Sequence, residues 1–259
     1  MSSEAMKARR RRPDVLPSWT TVLAVVAHPD DESFGLGALL DAFTSADASV
    51  EVLCLTHGEA STLHGAPGDL ASLRVAEVAA AADVLGVARA MVKDHPDGEL
   101  SDLPVAILVA EVTAAADSSG ASGLLVFDTA GVTSHPDHIA ATAAGLLAAK
   151  MLNLPVLGWT LSEAVAGQLN QELGTSFIGH QDEEIDLQVT VDRTRQRLAS
   201  DAHKSQALPS SVLWRRLELL GDTESLRWLR APLGANGRPM TAAPNTTPAD
   251  FNSVDATDE

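Results

Sequence analysis

Apolar runs of strand length alternate along most of this chain with longer stretches of helical periodicity, and this alternation constrains its fold more than any other feature. Strands are predicted at residues 22–27, 50–56, 90–92, 123–127 and 156–160. Helices are predicted at residues 37–43, 70–85, 103–116 and 137–151. Because alternating strands and helices are joined by right-handed crossovers, the pattern predicts an α/β fold. Its mostly parallel sheet should be covered by helices on both faces.

The pattern loosens after Leu161. Residues 184–191 alternate like a more exposed strand, and residues 194–202 and 213–220 have helical periodicity. We expect these extra C-terminal strands and helices to cap the main sheet. The chain is interpreted as a flexible basic arm (1–18), one domain (19–231) and a disordered tail rich in Pro, Ala, Asn, Thr and Asp (232–259).

Charge and composition limit the classes of function. The net charge is −17, from 35 acidic against 18 basic residues, and such a surface repels phosphate backbones. No nucleic-acid partner is therefore expected, although residues 9–12 are all arginine. No apolar run reaches transmembrane length and the start lacks the features of a signal peptide, so no membrane association and a cytoplasmic location are expected. The single cysteine, Cys54, lies between two leucines and is predicted to be buried.

Two short segments carry most of the reactive side chains. The first His-Pro loop, residues 28–32, reads His-Pro-Asp-Asp-Glu and directly follows the first predicted strand. The second His-Pro loop, residues 135–138, reads His-Pro-Asp-His and follows the strand that ends near Asp128. Ligands of open parallel sheets bind beyond the carboxyl ends of the strands. We therefore expect the two loops to lie side by side.

The residue types in these loops suit a catalytic metal centre. Two histidines and one carboxylate with an open position form a known catalytic site, which lowers the pKa of a bound water to about 7. A second carboxylate in the first loop can then take the proton of that water. Of the two histidines in the second loop, one can bind the metal while the other stabilises the oxyanion or protonates the leaving amine.

Simpler interpretations exist for each loop taken alone. Ser134 or Asp137 can cap a helix, and the acidic residues of the first loop can complement a helix dipole. An acid-rich loop repels itself without a cation, however, and both loops stand at strand ends, which favours a metal.

At this point the sequence resembles a known family, the LmbE-like (PIG-L superfamily) N-acetylglucosaminyl de-N-acetylases. The resemblance covers about residues 20–210 and is most specific in the paired His-Pro loops. The matching positions are residues 27–32, 35–37 and 134–138, Arg74 with Glu77, Asp97 with Gly98, and His203 with Ser205 and Gln206. The resemblance implies a Rossmann-like α/β domain that binds a catalytic zinc, although iron(II) also suits such a ligand set.

The family's site residues can be carried over position by position. Its zinc ligands correspond to His28, Asp31 and His138, and its general base to Asp30. Its electrophilic or acid histidine corresponds to His135. Asp137 is expected to orient His135 by accepting a hydrogen bond from the other ring nitrogen.

Two further positions, Arg74 and Asp97, match residues that contact the polar substrate in relatives. An ordinary ion pair on a helix face is an equally good interpretation of Arg74. A turn carboxylate before Gly98 is nearly as good an interpretation of Asp97. His203 is expected to anchor the C-terminal part over the site.

One departure from the family bears on the substrate. Several relatives that act on sugar thiols have a tyrosine two positions before the first histidine of the second loop, where this chain has Thr133 and no tyrosine at all. The leading hypothesis is zinc-dependent hydrolysis of the amide of an N-acyl amino sugar or a related small conjugate, by a chain that can form a homo-oligomer. A catalytically silent sugar- or metal-binding protein is the alternative, and the intact Asp30 argues against it. A metal-dependent phosphoesterase would prefer more carboxylate ligands.

Overall fold

The computed structural model of the chain describes residues 15–62 and 69–232. Residues 1–14 of the predicted arm and 233–259 of the predicted tail lie outside the described residues, as does His64. Within the described part, no helix has both the length and the apolar character that crossing a bilayer requires.

The described residues form eight strands and eight α-helices. The strands are β1 (Thr21–Val26), β2 (Ser49–Thr56), β3 (Arg89–His95), β4 (Gly123–Phe127), β5 (Val156–Ser162), β6 (Gly179–His180), β7 (Leu187–Thr190) and β8 (Thr223–Arg230). The helices are α1 (Asp31–Phe34), α2 (Gly37–Ser45), α3 (Leu70–Leu85), α4 (Val105–Ser119), α5 (Pro136–Leu152), α6 (Glu163–Leu173), α7 (Thr194–Ala202) and α8 (Val212–Leu220).

The strands join one sheet in the order β3-β2-β1-β4-β5-β8-β7. The five strands from β3 to β5 are parallel, β8 runs antiparallel to both β5 and β7, and β6 pairs in parallel with the end of β5. The predicted α/β class and the mostly parallel sheet are confirmed. Because β1 lies between β2 and β4, the carboxyl ends of β1 and β4 are neighbours.

Both faces of the sheet are covered, which is why its central strands read as continuous apolar runs. In β1, Val22 and Ala24 belong to the hydrophobic cluster under α2, α3 and α7, whereas Leu23 and Val25 belong to the one under α4 and α5. Cys54 is fully buried in the first cluster, as its apolar neighbours predicted.

The extra strands and helices expected in the C-terminal region are confirmed, but the placement of the strands differs from the expectation. The region was expected to cap the main sheet, but β8 and β7 extend it beyond β5. The sequence pattern failed here because β8 buries a charged residue. Glu224 is fully buried, and its carboxylate accepts hydrogen bonds from Trp159 Nε1 (2.7 Å) and Arg193 Nη1 (2.5 Å). Strand β8 and helix α6 were not predicted, and the strand expected at residues 184–191 is confined to β7.

Helix α3 ends where its sequence predicts. Gly86 has a left-handed conformation (φ 71°), and its N–H binds the carbonyl of Ala82. The helix matters to the site because it buries two charged residues one turn apart, Arg74 (3% exposed) and Glu77 (5% exposed).

Candidate metal centre and active site

The two His-Pro loops meet at the carboxyl ends of β1 and β4, as expected from their positions. The ring centroid of His28 lies 4.8 Å from that of His135 and 5.1 Å from that of His138. The first loop runs from β1 into α1, and the second forms the start of α5. Adjacent parallel strands thus bring together side chains that are more than a hundred residues apart in sequence.

Three donor groups converge at the centre of this site. Nδ1 of His28 lies 3.2 Å from Nε2 of His138, and that Nε2 atom lies 3.2 Å from Oδ1 of Asp31. The second oxygen of Asp31 lies 3.7 Å from Nδ1 of His28. Backbone N–H groups of Ala27 and His28 also donate to this oxygen, which orients the carboxylate.

The outer ring nitrogens of both histidines face acceptors. Nε2 of His28 lies 3.1 Å from Oδ1 of Asp97 and 3.2 Å from Oδ2 of Asp137. Nδ1 of His138 lies 3.1 Å from the carbonyl oxygen of Gly131, which can only accept. Each of these outer nitrogens therefore carries the proton of a neutral imidazole, and the two inner nitrogens are left with lone pairs that point at each other.

The contacts between these histidines and carboxylates also shift the pKa values of the cluster. Burial opposes protonation of His28, but the Asp137 and Asp97 carboxylates raise its pKa to about 10. Burial likewise opposes protonation of His138, whose pKa the Asp31 carboxylate raises. Against the effect of burial, the two histidines hold the pKa of Asp31 below its ordinary value. The cluster thus needs positive charge between its inner atoms, either a proton or a cation.

The donor set fits a divalent metal ion. Two imidazole nitrogens and one carboxylate are suitable ligands for zinc or iron(II), and ligating histidines usually donate their other N–H to a carboxylate or a carbonyl. Ligand atoms also lie within 4.8 Å of one another in two overlapping groups, His28 with His135 and His138, and His28 with Asp97 and Asp137.

The glycine at position 131 is required by the centre. Its φ is +67°, and an added Cβ would lie 2.9 Å from Cβ of His138. Only glycine allows the backbone to approach His138 closely enough for the carbonyl to bind the ring. The next residue, Val132, also has a positive φ (60°), which is rare for a β-branched residue and marks a strained loop.

The other histidine of the second His-Pro loop, His135, is held differently from the expectation. Asp137 was expected to accept a hydrogen bond from His135. Instead, the backbone N–H of Asp137 donates to Nδ1 of His135 (3.2 Å), so that His135 caps helix α5. The capping role considered for Ser134 and Asp137 is thus filled by His135. Since Nδ1 accepts, Nε2 of a neutral His135 carries the proton and can act as a donor.

The carboxylate of Asp137 binds elsewhere. It is fully buried, contacts His28 and accepts hydrogen bonds from the backbone N–H groups of Gly98 (2.8 Å) and Leu100 (3.0 Å). The sequence expectation was wrong because the first turn of α5 directs this side chain toward the residue 98–100 segment, away from His135. Burial and the neighbouring charges of His28 and His138 lower the pKa of His135, and the charges of Asp137 and Asp31 oppose this effect only in part.

Asp30 lies beside the three converging groups and has an unusual backbone. Its φ is 106°, a conformation that costs a non-glycine residue about 1–3 kcal/mol. Its carboxylate accepts a hydrogen bond from Arg74 (3.0 Å). Burial raises the pKa of Asp30 above its ordinary value, and the charge of Arg74 opposes this rise.

Arg74 forms a buried ion pair with Asp30, in place of an ordinary pair on an exposed helix face. Its guanidinium also donates to the backbone carbonyls of Pro29 and Gly58. Gly58 has a φ of +66°, and an added Cβ would lie 2.0 Å from Nη1 of Arg74, so a side chain cannot be placed there without displacing the guanidinium. Substrate contact by Arg74 stays a prediction.

Asp97 and Thr133 both reach the histidines. Asp97 is more than a turn carboxylate, since one oxygen contacts His28 while the other accepts from the N–H of Ala60 (2.9 Å). Its substrate contact stays a prediction. Oγ1 of Thr133 lies 3.2 Å from Nδ1 of His138, so this residue contacts the outer side of that ring.

Two groups of side chains near the site were not predicted as such. Glu32 of the first loop pairs with His203 from the end of α7, and Glu77 accepts hydrogen bonds from Ser205. The sequence around His203 predicted that this residue anchors the C-terminal part, but it did not predict that Glu32 is its partner.

The second group surrounds Asp128, which is almost fully buried at the end of β4. Its carboxylate contacts Arg227 Nη1 (2.9 Å) and His180 Nε2 (3.2 Å). Nothing in the sequence points to Arg227, because β8 itself was not predicted.

The fold and the site define an α/β protein with a candidate centre of two histidines and one carboxylate. Residues 23–149 match the family described as PIG-L: GlcNAc-PI de-N-acetylase, and this part of the chain includes both His-Pro loops. A relative from Kineococcus radiotolerans, 1D-myo-inositol 2-acetamido-2-deoxy-alpha-D-glucopyranoside deacetylase, is 40% identical over 83 residues, which are 30% of this chain and 23% of the relative. The chain aligns with less than two thirds of each matching curated relative, between 23% and 63% of its length.

Solved structures share the fold at low sequence identity. The A40926 pseudoaglycone deacetylase Dbv21 superposes with a TM-score of 0.64 at 21% identity, over 81% of this chain and 96% of that protein. The 4-carboxy-2-hydroxymuconate hydratase GalB of Pseudomonas putida KT2440 superposes with a TM-score of 0.62 at 15% identity, over 84% and 99% of the two chains. A deacetylase and a hydratase thus share this fold, so the fold alone does not determine the reaction.

Proposed function

We propose that this protein is a metal-dependent hydrolase that removes the acyl group from an N-acyl amino sugar or a related small conjugate. The observation that carries the proposal is the convergence of His28 Nδ1, His138 Nε2 and the Asp31 carboxylate, with the outer nitrogen of each histidine facing an acceptor. The deacetylase names of the PIG-L family and of the Kineococcus relative support the choice of an acetamido sugar.

His28, Asp31 and His138 would hold one divalent metal, with zinc as the first choice and iron(II) as the second. When bound, such a metal would lower the pKa of a coordinated water molecule to about 7 and polarise the amide carbonyl. Asp137 and Asp97 orient His28 by accepting its outer N–H, and Gly131 does the same for His138.

The remaining steps belong to residues of this chain. Asp30, whose pKa is raised by burial, accepts a proton from the attacking water and returns it to the leaving nitrogen. His135 donates its Nε2 proton in a hydrogen bond to the carbonyl oxygen as that oxygen gains negative charge. The products are a free amine and a carboxylate. Arg74 keeps the Asp30 carboxylate in place.

A panel of N-acyl amino sugars tests the proposal, with amine release measured after the purified protein has been loaded with zinc or iron(II). Asp30→Asn should keep the metal and lose turnover by roughly 10²–10⁴-fold, the usual contribution of a general base. Metal binding without amine release from any member of the panel would favour a silent metal-binding protein. Conversion of an unsaturated hydroxy acid by the same sample would favour a hydratase.

A further inference from the structure

A chain of buried hydrogen bonds connects the C-terminal region to the backbone of Asp30. Oε2 of Glu32 accepts a hydrogen bond from the backbone N–H of Asp30 (2.9 Å). The other oxygen, Oε1, lies 2.6 Å from Nε2 of His203, and both side chains are fully buried. A separation this short is typical of a charge-assisted hydrogen bond.

The backbone segment that these hydrogen bonds hold, at Asp30, is strained. Asp30 has a φ of 106°, a conformation that is kept only where the surroundings impose it. The peptide N–H of Asp30 would lose its acceptor if Glu32 rotated away, and the other carboxylate oxygen of Glu32 is held by His203. The carboxylate of Asp30 is held separately by Arg74. The backbone and the side chain of this residue are therefore fixed by different elements.

We propose that His203 and Glu32 form a positioning relay that keeps Asp30 in its strained conformation, so that His203 supports turnover without touching substrate. This inference rests on the proposed function, in which Asp30 is the base. The charge pattern around His203 fits the relay. Burial opposes protonation of the ring, but Glu32 raises its pKa, with smaller contributions from Asp30 and Glu77. A protonated His203 is a strong donor to Glu32.

The experiment compares three variants of the full-length, metal-loaded protein. His203→Leu removes the donor, and His203→Gln restores a donor at the position of Nε2. Ser205→Ala is the matched control, because it removes an equally buried hydrogen bond, the 2.7 Å bond from Oγ to Glu77, from the same segment. Glu32→Gln serves as a second test of the relay if His203→Leu does not fold.

The relay predicts a specific kinetic pattern. His203→Leu should lower kcat at least about 10-fold with KM and metal content nearly unchanged, since a misplacement of about 1 Å in a catalytic group costs on the order of 10²-fold. His203→Gln should recover most of this loss. In an Asp30→Asn background, His203→Leu should lower kcat no further, because the residue acts through Asp30. Ser205→Ala should leave kcat unchanged even if it lowers the thermal midpoint as much as His203→Leu does.

A second readout is independent of activity. The backbone amide of Asp30 should exchange its hydrogen faster in His203→Leu than in the wild-type protein or in Ser205→Ala, as measured by NMR. Unchanged exchange in His203→Leu would overturn the relay, and so would an equal loss of kcat in Ser205→Ala. If the wild-type protein hydrolyses no amide but His203→Leu still speeds exchange of the Asp30 amide, the proposed function is wrong. The positioning of the Asp30 backbone by His203 and Glu32 is then supported.

Discussion

Nδ1 of His28 and Nε2 of His138 lie 3.2 Å apart and face each other, although the outer nitrogen of each ring already faces an acceptor. Two lone pairs at this distance repel each other unless a proton or a cation lies between them. Although burial opposes protonation, the carboxylates of Asp137 and Asp97 raise the pKa of His28 to about 10, so a proton occupies this position until a divalent ion replaces it.

The first prediction concerns this competition. His28→Ala and His138→Ala should abolish metal binding, because each removes one of the facing nitrogens. In the wild-type protein the metal must displace a proton from a group with a raised pKa, so the affinity should increase as the pH is raised toward about 8. Metal analysis after dialysis and calorimetric titration at several pH values provide the measurement. An affinity independent of pH would contradict the facing-lone-pair arrangement.

The second prediction separates the two carboxylates behind His28. Asp137→Asn should weaken metal binding by roughly 10–100-fold, the usual effect of losing an outer hydrogen bond to a metal ligand. Asp97→Asn should have a smaller effect, because Asp97 is partly exposed whereas Asp137 is fully buried and also binds two backbone N–H groups. Equal effects in the two variants, measured by competition with a chelator, would show that burial does not set their importance.

The third prediction concerns His135. His135→Ala should lower kcat strongly and leave metal content unchanged, the result expected when a contact is made mainly in the transition state. Burial and the neighbouring histidines lower the pKa of His135, so the ring is neutral at pH 7 and donates through Nε2. The wild-type kcat should therefore not fall as the pH rises above neutrality. A basic limb that disappears in His135→Gln would instead indicate an imidazolium.

The fourth prediction concerns stability and pH. The folded protein raises the pKa of His203, mainly because Glu32 outweighs the effect of burial. The stabilisation is complete below the unfolded pKa of about 6.5 and is lost as the pH rises through the raised folded value. The difference in thermal midpoint between the wild-type protein and His203→Gln should therefore shrink with increasing pH. The corresponding difference in thermal midpoint for Ser205→Ala should stay constant. A difference for His203→Gln that grows with pH would mean that folding lowers the pKa of His203.

Much of this protein follows from local sequence patterns. The parallel core, the end of α3 at Gly86 and the meeting of the two His-Pro loops were predictable, because each depends on periodicity, on a turn residue or on strand ends in a parallel sheet. The residue types of the loops likewise predicted a metal centre, since the two loops together hold three histidines and four carboxylates.

Only the tertiary structure decided the partners of the buried charges. Strand β8 escaped prediction because Glu224 breaks its apolar pattern until Arg193 and Trp159 neutralise and bind it. Asp137 orients His28 and not its neighbour His135, because the first turn of α5 directs its carboxylate toward the N–H groups of Gly98 and Leu100. Glu32 meets His203 across 171 residues of sequence. A side chain's partner depends on which elements pack against it, and no local pattern records that choice.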